Sequence, residues 1–146
     1  LYETALAAGE IITAVHFPVP EKAAYLKFKQ PASRFALVGV FVAKTSGGVR
    51  VAVTGAGSVV FRVKALEDKL AAKFAPASCD GVSVPAAGLN TDLHGSAEYR
   101  AHLITVLAKR AVAADRCRRS VQRFTVQLAR RQSWPRSRPR PRATTR

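Results

Sequence analysis

The stretch "FALVGVFVAKTSGGVRVAVTGAG", from Phe35 to Gly57, sets the strongest limit on what this chain can fold into. Two β-rich apolar runs are separated by Thr45, Ser46, Gly47 and Gly48, and a Gly-Gly pair supplies the positive φ of a tight turn without a Cβ penalty. The spacing predicts a hairpin, and with it an antiparallel sheet. Val49, Val51 and Val53 alternate with Arg50, Ala52 and Thr54, so one face is buried and the other partly wet. The preceding "AAYLKFKQ" alternates in the same way, with Tyr25, Lys27 and Lys29 on one side and Leu26, Phe28 and Gln30 on the other. From Glu10, "EIITAVHFPVP" reads as a first strand, closed by two prolines that cannot continue a ladder.

After Phe61 the apolar period lengthens from two to about 3.6. Val63, Leu66, Leu70 and Phe74 fall on one side of a helix, while Lys64, Glu67, Lys69 and Lys73 fall largely on the other. A loop, "PASCDGVSVPAAGLN", leads to a second helix over Ser96–Ala111. Ser96 is its expected N-cap, Glu98 meets the positive helix end, and Tyr99, Leu103, Val106, Leu107 and Ala111 form the apolar stripe. Tyr99 is expected to pack in the core, so that Tyr99→Ala costs a few kcal/mol. Its neighbour Arg100 is expected to be solvated or to pair with a strand. Strands followed by helices, with hairpin connections, define an α+β fold: an antiparallel sheet of three to four strands with helices packed on one face.

The 146 residues suffice for one core, and their net charge of +15 points to an anionic partner until its distribution is considered. Residues 1–114 carry 13 Lys and Arg against 8 Asp and Glu, whereas residues 115–146 carry 11 against 1, all 11 of them Arg. An Arg, Pro, Ser, Ala and Thr vocabulary without Lys is what a GC-rich gene yields in a shifted frame. Residues 1–114 are therefore expected to form the domain, and residues 115–146 a disordered, frame-shifted extension. The competing reading is a basic nucleic-acid-binding protein whose authentic Arg-rich arm neutralises phosphates without base specificity. The absence of Met favours a fragment of a longer protein. Two cysteines, Cys79 and Cys117, give no disulfide framework and fit a reduced, cytoplasmic compartment. No apolar run has the length of a transmembrane segment.

Motifs for chemistry are sparse. "TGAGS", Thr54 to Ser58, lacks the third glycine, the lysine and the acidic ribose ligand of a nucleotide loop, and reads as a bend that ends a strand. His16, His94 and His102 have no metal-ligand spacing. Ser96, His102 and Asp92 offer the side chains of a hydrolase, but Ser96 lies at a helix cap rather than a strained elbow. No residue is assigned a catalytic or metal-binding role.

Taken together, "LYETALAAGEIITAVHFPVP", "YLKFKQPASRFALVGVFVA", "VRVAVTGAG" and "TDLHGSAEYRAHLITVLAKRAV" resemble the C-terminal domain of the flavoprotein (medium) subunit of molybdenum hydroxylases, the xanthine dehydrogenase and carbon monoxide dehydrogenase family. The likeness covers about residues 1–114 and is strongest to the carbon monoxide dehydrogenase branch. It implies a carbon monoxide dehydrogenase flavoprotein C-terminal sandwich, within a subunit that holds FAD mainly through an N-terminal domain. It further implies that electrons reach FAD from a molybdenum cofactor through [2Fe-2S] clusters carried by partner chains. Those partners would be an iron-sulfur small subunit and a molybdenum large subunit, in a heterotrimer that can dimerise, in the cytoplasm or at the inner face of the cell membrane. Carried over residue by residue, the resemblance places Ile12 and Lys29 against the flavin, an apolar side chain for the ring and a cation that favours its reduced, negatively charged form. This chain has Phe35 and Ala36 where some relatives have acidic residues. The domain alone is expected to be catalytically silent.

Overall fold

The computed structural model describes Thr4, residues 6–15 and 18–114, and Ala129–Arg130. Its elements are β1 (Glu10–Ile11), β2 (Lys22–Lys29), β3 (Ala36–Thr45), β4 (Gly48–Thr54), β5 (Phe61–Arg62), α1 (Lys64–Ala72), a single 3-10 turn at Pro76–Cys79, α2 (Ala97–Ala114) and β6 (Ala129–Arg130). The described residues divide between two units, residues 18–114 in one, and Thr4, residues 6–15 and Ala129–Arg130 in the other. Apart from Ala129 and Arg130, the Arg-rich segment lies outside the described residues, as does the disorder expected of it. His16 lies outside them too.

In the smaller unit β1 pairs antiparallel with β6, Glu10 opposite Arg130 and Ile11 opposite Ala129. The first strand is therefore much shorter than its β-rich sequence predicts. With a partner of two residues the ladder ends at Ile11, and Ile12–Val15 are outside any strand.

The larger unit is a four-stranded antiparallel sheet of order β2-β3-β4-β5. The hairpin forms as the sequence predicts: Thr45 pairs with Gly48 around Ser46 and Gly47, and Gly48 takes φ 113°. The Thr45 hydroxyl donates to the Gly48 carbonyl at 3.1 Å and closes the turn. Alternation then sends Val38, Val40 and Val42 of β3 and Val49, Val51 and Val53 of β4 to one face, all buried. Leu66 and Leu70 of α1, and Ile104, Leu107 and Ala111 of α2, close over these valines, with Ala24 and Leu26 of β2 packed at the margin. The fold is the expected α+β sheet with helices on one face. Burying a side chain of this size removes about 1.5–3 kcal/mol of unfavourable hydration, so the valine rows and the helix residues that cover them stabilise the fold together.

The opposite face carries Tyr25, Phe41 and Arg50 in the open. Gly39 lies buried among them because a side chain there has no room: a Cβ would sit 2.5 Å from the Thr54 hydroxyl and closer still to that of Tyr25. The Tyr25 phenol crosses β3 at this glycine and hydrogen bonds to Thr54 at 3.3 Å.

Candidate functional site

The candidate residue Lys29 ends β2, and the strand pairing changes just there. Phe28 pairs with Val38, but Lys29 pairs with Ala36, leaving Leu37 as an extra residue in β3. Such a bulge frees backbone groups from the ladder and redirects the neighbouring side chains. Freed and buried, they need partners. Arg100, entering from the first turn of α2, supplies them: one Nη donates to the Leu37 carbonyl at 2.8 Å and to the Gly55 carbonyl at 3.1 Å. The other Nη donates to the Asp92 carboxylate at 2.7 Å, and Nε to the Gly95 carbonyl at 3.4 Å. Arg100 is only 2% exposed.

This arrangement reverses one sequence expectation. Tyr99, assigned to the core, is 41% exposed and stands edge-on to Phe28 with centroids 6.3 Å apart, while Arg100 takes the interior position and pairs with the strands. The expected cap is present, Ser96 Oγ accepting from the Tyr99 N–H at 3.3 Å. The "TGAGS" bend does end β4. Gly55, at φ 76°, lies so close to the Ala36 carbonyl that a Cβ would clash with it.

Asp92 is held below the usual carboxylate range, first by the His94 N–H at 2.9 Å and, against a smaller cost of burial, by Arg100. Gln30 ties down the turn after Lys29: its Oε1 accepts from the Ala32 and Ser33 N–H groups at 2.7 and 2.9 Å, and its amide nitrogen lies 3.4 Å from His94 Nδ1. A cleft of about 360 Å³ opens here, with Gln30, Phe35, Asp92, His94 and Arg100 in its wall. Lys29 itself is exposed and makes no ion pair among the described residues. Ile12, in the smaller unit, is an apolar side chain left 54% exposed.

The hydrolase constellation does not assemble. Ser96 caps α2 and Asp92 is bound to Arg100, and no hydrogen bond among the described residues joins His102 to either. Nor do the described residues contain a group of three or more His, Cys, Asp or Glu able to hold a metal. Cys79 is buried, and burial, helped by Asp80, pushes its thiol up, away from the reactive thiolate.

A second buried charge went unread in the sequence. Glu67, placed on the polar side of α1 by its spacing, is 5% exposed and turns toward the sheet. Its Oε1 accepts from the Val51 N–H at 2.9 Å and from Arg62 Nε at 2.8 Å, and Oε2 accepts from Arg62 Nη2. Burial alone would raise this carboxyl, but the Arg62 and Val51 hydrogen bonds, with the charges of Arg62 and Arg50, bring it below the ordinary value. β5 is two residues long, so Val51 has no strand partner for this N–H, and only the early end of β5 could have announced the role.

With this geometry in view, the class of protein can be read from comparison. No protein-family model matches the chain. Its sequence is similar to the medium subunit of a hydroxylase, in agreement with the resemblance to molybdenum-hydroxylase medium subunits that the motifs carry. The particular relative is the nicotine 6-hydroxylase medium subunit of Paenarthrobacter nicotinovorans, 35% identical over 121 residues, which are 76% of this chain and 43% of that subunit. The chain thus spans less than half the length of this relative. Among solved structures, quinoline 2-oxidoreductase from Pseudomonas putida 86 superposes with a TM-score of 0.49 at 18% identity, over 67% of this chain and 38% of that one. No helix among the described residues is long and apolar enough to cross a membrane.

Proposed function

We propose that this chain supplies the C-terminal part of an FAD-binding medium subunit, and that Lys29 and Ile12 are its contributions to the flavin site. The observation that carries the reading is the 35% identity to a medium subunit, obtained over three quarters of the chain. The chemistry of the two residues suits the group: Lys29 is a cation without an ion-pair partner among the described residues, and Ile12 is an exposed apolar side chain. FAD, when bound, takes up electrons. A fixed ammonium lowers the energy of negative charge placed near it, and an apolar side chain keeps water from a ring it covers. The bulge at Leu37, secured by Arg100, fixes the backbone from which Lys29 projects.

In the assembled enzyme the electrons would come from a molybdenum centre on the large subunit through [2Fe-2S] clusters on the small subunit. The domain performs no bond-breaking step of its own, and the substrate is chosen elsewhere. Carbon monoxide is the substrate that the sequence motifs favour, while the name of the nicotine 6-hydroxylase relative favours an aromatic nitrogen heterocycle.

The test is complementation. This chain is produced together with the remaining, flavin-binding part of the nicotine 6-hydroxylase medium subunit, and flavin retention and midpoint potential are measured. The reading expects FAD to be retained and Lys29→Ala to make the potential more negative, with Ile12→Ser loosening the flavin. Full retention with a potential indifferent to Lys29 would remove these residues from the site, and no association at all would overturn the reading.

A further inference from the structure

Among the described residues the sheet has one face under the helices and one without them, and the uncovered face has a composition of its own. β2, β3 and β4 contain no Asp or Glu, while their charged residues are Lys22, Lys27, Lys29, Lys44 and Arg50. On the uncovered face Tyr25 and Phe41 are direct cross-strand neighbours, and both are substantially exposed. Lys27 pairs with Gly39 one step along β2, and Arg50 pairs with Ala43 on the far side of β3. An aromatic centre of two rings is thus flanked by cations on two strands, with only small residues between.

Two ordinary explanations account for part of this. Lysines on an edge strand discourage edge-to-edge pairing, which covers Lys27. Arg62, also on the margin, is neutralised by Glu67. Arg50 lies where β4 has outrun β5, and its charge also reaches Glu67, but neither explanation covers Phe41, which stays exposed on a strand with neighbours on both sides. Exposed Tyr, Phe and Arg around a small-residue floor is the composition of a protein interface, in which aromatic side chains supply the buried area and charges fix the register.

We infer that the uncovered face of β2–β4 docks an acidic protein surface, with Tyr25 and Phe41 as its apolar anchors and Lys27 and Arg50 facing carboxylates. A protein partner is favoured over single-stranded nucleic acid because the Tyr25 phenol is tied down across Gly39 by its bond to Thr54, which leaves one ring, Phe41, free to slide under a base.

The full chain is immobilised and titrated with two probes, a short glutamate peptide carrying one central Phe, and a thymine oligonucleotide of matched charge. Lys27→Glu/Arg50→Glu is compared with Lys64→Glu/Lys73→Glu, which changes the net charge equally on exposed positions of, and just after, α1. The docking face predicts that the first pair weakens peptide binding by about tenfold and the second by less than about twofold, because localised charge pairs, unlike diffuse attraction, depend on position. Phe41→Ser is expected to weaken the peptide several-fold more than it weakens the oligonucleotide. Each variant must unfold at the wild-type temperature, and Lys27→Glu alone, at an exposed edge position, serves if the double variant does not. Equal loss from both pairs, or no peptide binding by the wild type, overturns the inference. Tighter binding of the oligonucleotide with the same dependence on Lys27 and Arg50 would assign the face to nucleic acid instead.

Discussion

Arg100 and Glu67 solve the same problem with opposite charges. At the Leu37 bulge, carbonyls are left without ladder donors, and a guanidinium with several N–H groups in a rigid fork serves two strand ends and a loop at once. Beside the short β5, an N–H is left without an acceptor, and a carboxylate reaches in from α1 to take it. Each buried charge then carries its own counter-ion to the surface, Asp92 for Arg100 and Arg62 for Glu67, both about half exposed. The difference lies in reach. Arg100 joins β3, the end of β4 and the loop before α2, whereas Glu67 secures one N–H of β4, so losing the first should loosen more of the molecule than losing the second.

The largest effect is therefore expected from Arg100→Ala, at about 3–4 kcal/mol, since it strands the buried Leu37 carbonyl and the partly buried Gly55 carbonyl and empties the interior position that the side chain fills. Arg100→Lys should recover little, because one ammonium cannot span the same set of acceptors. Urea unfolding measures both. Asp92→Asn separates the two functions of the arginine: if the carbonyls matter most, this variant should cost clearly less than Arg100→Ala. Gly55→Ala attacks the same junction from the other side. Its positive φ and the nearby Ala36 carbonyl leave no place for a methyl group, and a cost of about 2–3 kcal/mol is expected. Equal sensitivity at Arg100 and Glu67 would break the comparison.

Glu67→Gln keeps the shape but weakens the pair with Arg62, and about 2 kcal/mol is expected at neutral pH. Its pH dependence has a definite sign. Because the folded-state carboxyl is depressed, its contribution is complete above the unfolded value of about 4.3 and declines as pH falls through the folded value. The gap between wild type and Glu67→Gln should hence be constant near neutrality and close in acid. A gap that widened on acidification would mean that the carboxyl is raised, not lowered.

The parts of this fold that were legible in the sequence are those whose causes are local. A Gly-Gly turn between alternating valines fixes the hairpin, and the spacing of Leu66 and Leu70 fixes the inner face of α1. Ser96 announces the start of α2 by the bond its own hydroxyl accepts. What stayed illegible depends on where a ladder fails. Nothing near Glu67 reveals that β5 stops after two residues, and nothing near Arg100 reveals a bulge 63 positions earlier. The candidate site has the same character: Lys29 and Ile12 were picked out by resemblance to a family, because neither residue has neighbours in sequence that mark it for a flavin.

Tyr99→Ala is the smallest and most discriminating test. As a core aromatic, Tyr99 would be worth several kcal/mol. As a half-exposed ring resting edge-on against Phe28, it should be worth about 1 kcal/mol. Adjacent helix positions point about 100° apart, so Tyr99 and Arg100 cannot both face the sheet. The bulge decides between them, since a buried carbonyl without a donor costs more than an aromatic ring left at the rim. Measured by urea unfolding beside Arg100→Ala, a Tyr99→Ala loss equal to or larger than the arginine's would mean that α2 is anchored by its apolar stripe alone. A loss about a third as large would mean that the polar junction, and not the aromatic, sets how this helix enters the fold.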